Sequence, residues 1–429
     1  MKGEGMKRIY FRGGQLPYEY ATPERVLNRN YLGSNSGNLL YQYSVLKAIM
    51  TSEKDIIEAN YYKPFRYSPE YVNENFDFFI IPMADAFRDS FVTELRQLTS
   101  FVKRLRIPCI VTGVGLRGPY EPDFKMANYR FNIDVKEFMN AVLEKSTIVG
   151  VRGQITADYL SYLGFREDKD FMVIGCPSLF SYGKNIDIKT WDKIENLYLA
   201  YQPIHHLSYE VNEYMQEITK VVSDWCFIGQ VVQELRFIYL GAPFEHNNTL
   251  YPCTSCNAEA YRQKKMRFFL NATTWIEYMK RFDFWFGARL HGSVAALLGG
   301  TPALLYTHDG RMRELADYHK MNACTYDDLK ENSIVDLIQK SDFGPMMSIH
   351  NENFQRFCLF LELNGLSNIY EEDVDRRDGP IDNIIQKSYL VPPVEPLDFG
   401  NLSEVEERFT RYFMELDAKL ERLKKQINI

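Results

Sequence analysis

Continuous apolar runs, not alternating ones, punctuate the first half of the chain. Lys7 to Phe11, Asp55 to Tyr62, Phe76 to Met83, Pro108 to Val114, Thr147 to Val151 and Phe171 to Ile174 each read as a strand. Several are apolar throughout, as expected for a parallel sheet covered on both faces. Helical spacing intervenes at Tyr31 to Met50, where Leu39, Tyr43, Leu46 and Met50 recur on one face, and at Ser90 to Arg106, Asp134 to Lys145 and Gln154 to Leu163. The pattern loosens at Ser181 to Trp191 and then resumes. Strands are predicted at Leu197 to Tyr201, Trp225 to Ile228, Phe237 to Leu240, Arg267 to Leu270, Phe282 to Phe286 and Ala303 to Tyr306. Helices fall between them, including Tyr209 to Ser223 and Thr274 to Lys280. Alternating strand and helix predicts an α/β fold of two doubly wound αβα domains, residues 1–185 and 186–366, facing a cleft. Open α/β sheets bind ligands at the carboxyl ends of their strands, so both domains would offer loops to one site.

The tail differs. Residues 367–402 are polar, acidic and proline-bearing, and read as a linker. Residues 403–429 read as an amphipathic helix, opened by a capping box at Ser403 and Glu406. Its apolar positions Val405, Phe409, Phe413, Leu416, Leu420, Leu423 and Ile427 suit packing against the body or a homo-oligomer. A second reading, peripheral contact with a membrane through Lys419, Arg422, Lys424 and Lys425, is opposed by six acidic residues on the same helix.

Composition narrows the class. With 429 residues and 45% hydrophobic content, the chain is long enough for two cores. A net charge of −7 argues against a nucleic-acid protein, which shows a strongly basic domain or stripe. Seven cysteines, odd in number and scattered, fit a reduced cytoplasmic protein. The N-terminus has no apolar h-region, and Gly292 to Tyr306, broken by Gly-Gly-Thr-Pro, is too short to span a bilayer. The expected location is the cytoplasm, with any membrane role peripheral, at the inner face of the cell membrane.

The candidate chemistry sits at Phe286 to Pro302. A dense aromatic run ends at Gly287; a lone Arg289 and a lone His291 follow, then an apolar helix. A cation and an imidazole at a strand-to-helix turn suit an anion, because free N–H groups and the helix dipole add positive potential. The dipole should lower the pKa of His291, and a bound dianion should raise it again, making the ring an acid. The first half echoes the turn at Gly150-Val151-Arg152, so Arg152 and Arg289 are expected to converge on one anion. His308-Asp309-Gly310-Arg311 follows a strand and either lines the cleft or caps the next helix through Asp309. His205 and His206 could meet a sugar or lie in a solvated loop. Cys253 and Cys256 have the spacing of half a zinc site with no second pair, so no metal is expected.

Gly287 to Pro302 resembles the signature of the polysaccharide pyruvyltransferase family. Val149 to Arg152 with Leu163-Gly164, Val173 to Ser178, and Asn35-Ser36-Gly37-Asn38 resemble that family's other motifs, in the same order. Asn38 and Cys176 stand where the family usually carries Asp. The resemblance implies a GT-B-like fold. It implies transfer of pyruvate, as a ketal, from phosphoenolpyruvate to a sugar diol in surface or capsular polysaccharide synthesis, the acceptor being free or lipid-linked. Arg152, Arg289 and the N–H groups of Gly292 and Ser293 would hold the donor, and His291 would protonate it. Asn35, Asn38, His205, His308 and Arg311 would line the cleft or the acceptor side. No cofactor, metal or nucleic acid enters that scheme; phosphoenolpyruvate is a substrate. Two alternatives stay open: a GT-B nucleotide-sugar glycosyltransferase, and a catalytically silent glycan-binding homologue.

Overall fold

The computed structural model describes residues 6–29, 31–33, 35–63, 66–124, 129–204, 206–243, 255–374 and 376–427. The first half supplies β1 (Arg8–Phe11), β2 (Ile56–Ala59), β3 (Phe78–Pro82), β4 (Cys109–Thr112), β5 (Val149–Val151) and β6 (Phe171–Val173). The first four pair in parallel in the order β2-β1-β3-β4, and β5 pairs in parallel with β6. A parallel bridge between Val114 and Val151 joins the two sets, through Val114 N–H to Gly150 O and Arg152 N–H to Val114 O, both 3.1 Å. The chain order of this domain is therefore 2-1-3-4-5-6, and it reverses between the paired strands β1 and β3. The strands of its centre, such as Cys109–Thr112, are buried at every position, which is why they read as unbroken apolar runs.

The second half supplies β7 (Tyr198–Gln202), β8 (Asp224–Gly229), β9 (Met266–Phe268), β10 (Phe284–Gly287), β11 (Ala303–Tyr306) and β12 (Ala323–Cys324). They form one parallel sheet, β12-β11-β10-β7-β8-β9. Counted from its own first strand, this domain has the doubly wound order 3-2-1-4-5-6, with its switch point between β7 and β10. The helices between strands start where short polar side chains accept the first free N–H groups. Ser208 accepts from Val211 N, Asn271 from Thr274 N and Asp309 from Met312 N. The result is the expected pair of αβα domains across a cleft, in a GT-B-like arrangement.

Three expectations need correction. Phe237 to Leu240 is not a strand: it ends the helix Val232–Leu240. Glu234 accepts the N–H groups of Gln230 and Val231, which starts a helix there, and an apolar run alone cannot tell a buried helix end from a buried strand. Second, the helix Gly344–Leu363 leaves the second domain and packs on the first. Its Arg356 Nε donates to Val173 O (2.9 Å), Asn364 at its end donates to Ile148 O (3.1 Å), and Phe357 stacks on Phe180 while Phe354 packs on it at a tilt.

Third, residues 367–402 are not a free linker. The helix Pro380–Gln386 buries Ile381 and Ile385 against the helix Gly37–Ile49. Asp382 accepts from Tyr43 Oη at 2.6 Å and pairs with the fully buried Lys47 at 3.0 Å. Val394 then forms an antiparallel bridge with Phe268, covering the β9 edge of the second sheet. The final helix, Leu402–Ile427, rests on the body through Val405, Phe409 and Tyr412, and Arg25 and Arg29 reach its Glu415. Phe413, Leu420 and Leu423 of the same helix are exposed.

Lys47 depends on Asp382. Asp382→Ala leaves a buried ammonium without its counter-ion and should cost about 3–5 kcal/mol of stability. Tyr43→Phe, which removes the hydrogen bond to Asp382 and the one from Lys47 but keeps the ion pair, should cost less, about 1–3 kcal/mol. Denaturant unfolding of the two variants checks the order; equal costs would contradict the pairing.

Candidate active site

Loops from both domains meet over a cleft of 570 Å³. Arg12, Arg88, Arg117, Arg152, Arg289 and Arg311 line it, with Asn35, Asn38, Tyr41, His291, His308, Asp85 and Asp309. Six guanidinium groups in one crevice make it strongly basic within an acidic chain. Several of these residues lie just beyond the carboxyl end of a strand. Arg12 follows β1, Asp85 follows β3, Arg152 follows β5, Arg289 follows β10 and His308 follows β11.

Four of the arginines are held by three carboxylates. Asp85 receives Arg88 (2.8 Å), Arg311 (3.3 Å) and Arg117 (3.7 Å). Burial alone would raise its pKa, but the fields of Arg311, Arg152, Arg88 and Arg117 hold the carboxyl below its usual range. Asp309 takes Arg311 at 3.1 Å while its other oxygen caps the helix Gly310–His319, so this residue performs both of the roles foreseen for it. Glu234 pairs with Arg289 at 3.2 Å, leaving Arg289 Nε buried without an acceptor. This partner comes from a helix 55 residues earlier, which local sequence cannot reveal.

His291 lies in the wall between the domains. A Cβ on Gly37 would sit 2.6 Å from its Nδ1, so the Asn-Ser-Gly-Asn turn approaches the imidazole as closely as backbone can. Its Nε2 is buried and unpartnered. Burial, then the nearby cations Arg152 and Arg311, push its pKa down to about 3, with Asp85 opposing. The direction is the one expected, but burial and two arginines are the main cause. Arg152 and Arg289 line one cleft as expected, yet the cations acting on His291 are Arg152 and Arg311. Arg289 instead bears on His308, whose pKa falls through burial and then through Arg311 and Arg289, against Asp309.

The N–H groups of Gly292 and Ser293, expected to face the donor, are spent inside the helix Leu290–Leu298. Both donate to Arg289 O, at 2.9 and 3.2 Å, and Ser293 Oγ donates to Leu290 O at 2.7 Å. The helix begins at Leu290, so its free N–H groups are those of Leu290 and His291. Gly292 serves packing: a Cβ there would run into Gln202 Oε1. Gln202 Nε2 donates to Gln230 Oε1 (3.2 Å), and Gln230 Nε2 donates to Asn35 Oδ1 (2.6 Å), which also accepts Gly37 N–H (2.7 Å). This chain ties the second domain's switch point to the first domain's turn. Asn38 holds the same turn by donating to Leu32 O (2.8 Å).

His205 and Cys253 lie outside the described residues. Among the described residues no group of three His, Cys, Asp or Glu side chains could hold a metal ion, and no helix is long and apolar enough to cross a membrane. The sequence reading missed Arg12, Asp85, Gln202, Gln230, Glu234 and Glu314. Glu314 is buried behind Arg152 and accepts Thr156 N–H at 3.0 Å; burial lifts its pKa to about 7, against Thr156 and Arg152. Position at the carboxyl ends of parallel strands would have found the first four.

A model of the polysaccharide pyruvyl transferase family matches residues 35–310, more than half of the chain. The chain belongs to the polysaccharide pyruvyl transferase family. The match begins at the Asn35 turn and ends beside Asp309, so most of the cleft lies within it. No curated protein matches the chain. Solved structures similar to this family member include S. aureus MnaA with UDP (10% identity, 84% of this chain and 97% of that one, TM-score 0.45). Others are the Methanocaldococcus jannaschii UDP-GlcNAc 2-epimerase with UDP-GlcNAc and UDP (10%, 83% and 99%, TM-score 0.41) and Anabaena Alr3699/HepE with UDP and glucose (13%, 89% and 98%, TM-score 0.39).

Gly292→Ala should destabilise this pyruvyl transferase family member by about 1–3 kcal/mol through overpacking against Gln202. Gln202→Ala in the same chain should recover part of that loss, because it removes the atom struck. A double-mutant cycle in denaturant checks it; strictly additive losses would exclude the collision.

Proposed function

We propose that this protein transfers pyruvate from phosphoenolpyruvate to a sugar diol, forming a cyclic ketal on a precursor of a surface or capsular polysaccharide. The observation that carries the reading is His291 held in the field of Arg152 and Arg311 in a basic cleft of a pyruvyl transferase family member. The donor bears a carboxylate and a phosphate, which two guanidinium forks and a helix N-terminus suit. Arg152 and Arg289 take the two anionic groups in this scheme, and the Leu290 and His291 N–H groups add to them.

The chemistry runs through charge that the cleft controls. His291 gives a proton to the methylene carbon, and the adjacent carbon becomes electrophilic. A sugar hydroxyl adds to that carbon, the carbon–oxygen bond to phosphate breaks, and a second hydroxyl closes the ring. Of the two hydroxyl protons, one restores His291 and one leaves with phosphate. The arginines stabilise the departing phosphate. A peripheral cytoplasmic setting and a lipid-linked acceptor fit this role.

Two outcomes are expected. Arg289→Ala or His291→Ala should lower acceptor-dependent phosphate release from phosphoenolpyruvate by on the order of a hundredfold or more. Full activity in both variants would sink the assignment.

The second concerns the proton. His291, with a pKa near 3, is neutral in the empty cleft at pH 7. A multiply charged donor offsets the fields of Arg152 and Arg311, so its binding should raise that pKa and take up a proton. Calorimetry of phosphoenolpyruvate binding in buffers of different ionisation enthalpy measures the uptake, which His291→Asn should abolish. Zero uptake in the wild type would remove His291 as the acid.

A further inference from the structure

Each domain has its own switch point, and both open on the same cleft. The second domain's, between β7 and β10, carries Gln202, Arg289 and His291. The first domain's, between β1 and β3, carries Arg12, which the pyruvyl-transfer scheme leaves unused. Arg12 N–H donates to Ile80 O (2.9 Å) and its Nη1 to Pro82 O (3.2 Å), so the side chain is fixed at the carboxyl ends of these paired strands. Its guanidinium lies 5.6 Å from the Tyr62 ring centroid and 5.5 Å from that of Phe91.

Of the six arginines of the cleft, four pair with Asp85, Asp309 or Glu234. Among the described residues, Arg12 and Arg152 make no such ion pair. Arg152 flanks the proposed donor position. Arg12 lines the same cleft, where Glu94 acts only as a longer-range field and Arg88 adds positive charge. Desolvation lowers the Arg12 pKa, which measures the cost of holding this cation without a counter-ion. Beside it Gln42 is 2% exposed; its Nε2 donates to Tyr62 Oη (3.1 Å), and its Oε1 is buried without a partner. A guanidinium short of an anion and an amide oxygen short of a donor together suit a ligand that carries a phosphate and hydroxyl groups.

We propose that Arg12 and Gln42 form a second anion subsite, which binds a phosphate ester carried by the acceptor, so that the acceptor is a glycosyl phosphate or diphosphate and not a neutral sugar. This rests on the pyruvyl-transfer reading for the identity of the acceptor, but the subsite itself does not. Arg12 binds the phosphate, and Gln42 Oε1 accepts a hydroxyl of the sugar. The Arg88–Asp85–Arg311 ion pairs then connect this subsite to the region of His291. The phosphate would mark the acceptor end of the cleft and turn the sugar toward the donor.

The test is calorimetric, on the full chain, with the donor position first saturated by phosphoenolpyruvate. Inorganic pyrophosphate, UDP and geranyl diphosphate are the probes; the order of their affinities tells a nucleotide-borne from a prenyl-borne phosphate. Pyrophosphate should bind the saturated wild type, and Arg12→Gln should weaken it on the order of tenfold to a hundredfold, as expected for a charge-assisted bond. Arg12→Lys, which keeps the charge and loses the fork, should fall between and covers the case in which Arg12→Gln does not fold. Pyrophosphate binding that is absent, or indifferent to both substitutions, overturns the subsite. Failure of phosphoenolpyruvate to bind at all overturns the transfer reading instead, and Arg12-dependent binding of pyrophosphate alone would still uphold the subsite.

Discussion

Gathering six guanidinium groups into one crevice is the constraint on which the rest of this structure depends. Like charges in a partly desolvated space repel strongly, and each must find compensation or leave. The fold supplies three carboxylates at fixed points, Asp85 in the first domain and Glu234 and Asp309 in the second. They neutralise part of the charge and leave a surplus. That surplus has two effects with one cause: it attracts an anion carrying several charges, and it keeps His291 unprotonated while the cleft is empty. A ligand that brings negative charge reverses the second effect as it satisfies the first.

Such a site works only if the two domains keep their register. The ties lie between segments far apart in the chain. Gln202, Gln230 and Asn35 form a hydrogen-bonded line from one switch point to the opposite turn. Glu314, from the helix that carries Arg311, is buried against Thr156 of the first domain. The helix Gly344–Leu363 and the segment around Asp382 return to the first domain and fasten it from behind. Gly37 and Gly292 let these surfaces close, since a methyl group at either would strike His291 or Gln202. The precision of the cleft is thus a property of long-range packing, while the chemistry-bearing groups stand on short strand-to-helix turns.

Much of this was readable from local pattern. A strand buried on both faces must be apolar throughout, and a helix must show its face every three or four residues. Those periods therefore gave nearly every strand, the two-domain layout, the Arg-x-His turn and the final helix. They failed where local pattern is ambiguous: Phe237 to Leu240 is an apolar run that ends a helix, and residues 367–402 look polar yet bury Ile381 and Ile385.

What the chain alone determined is thus which side chains stand at the mouths of its strands. The order of apolar runs and turns puts Arg152, Arg289, His291 and Arg311 there, whatever their surroundings. Tertiary structure decided what those side chains are. It paired Arg289 with Glu234, brought the field of Arg311 onto His291, spent the Gly292 and Ser293 N–H groups within a helix, and left Arg12 without a counter-ion among the described residues. Ion pairing, burial and protonation are fixed by neighbours dozens or hundreds of residues away, and a period of two or 3.6 residues carries no record of them.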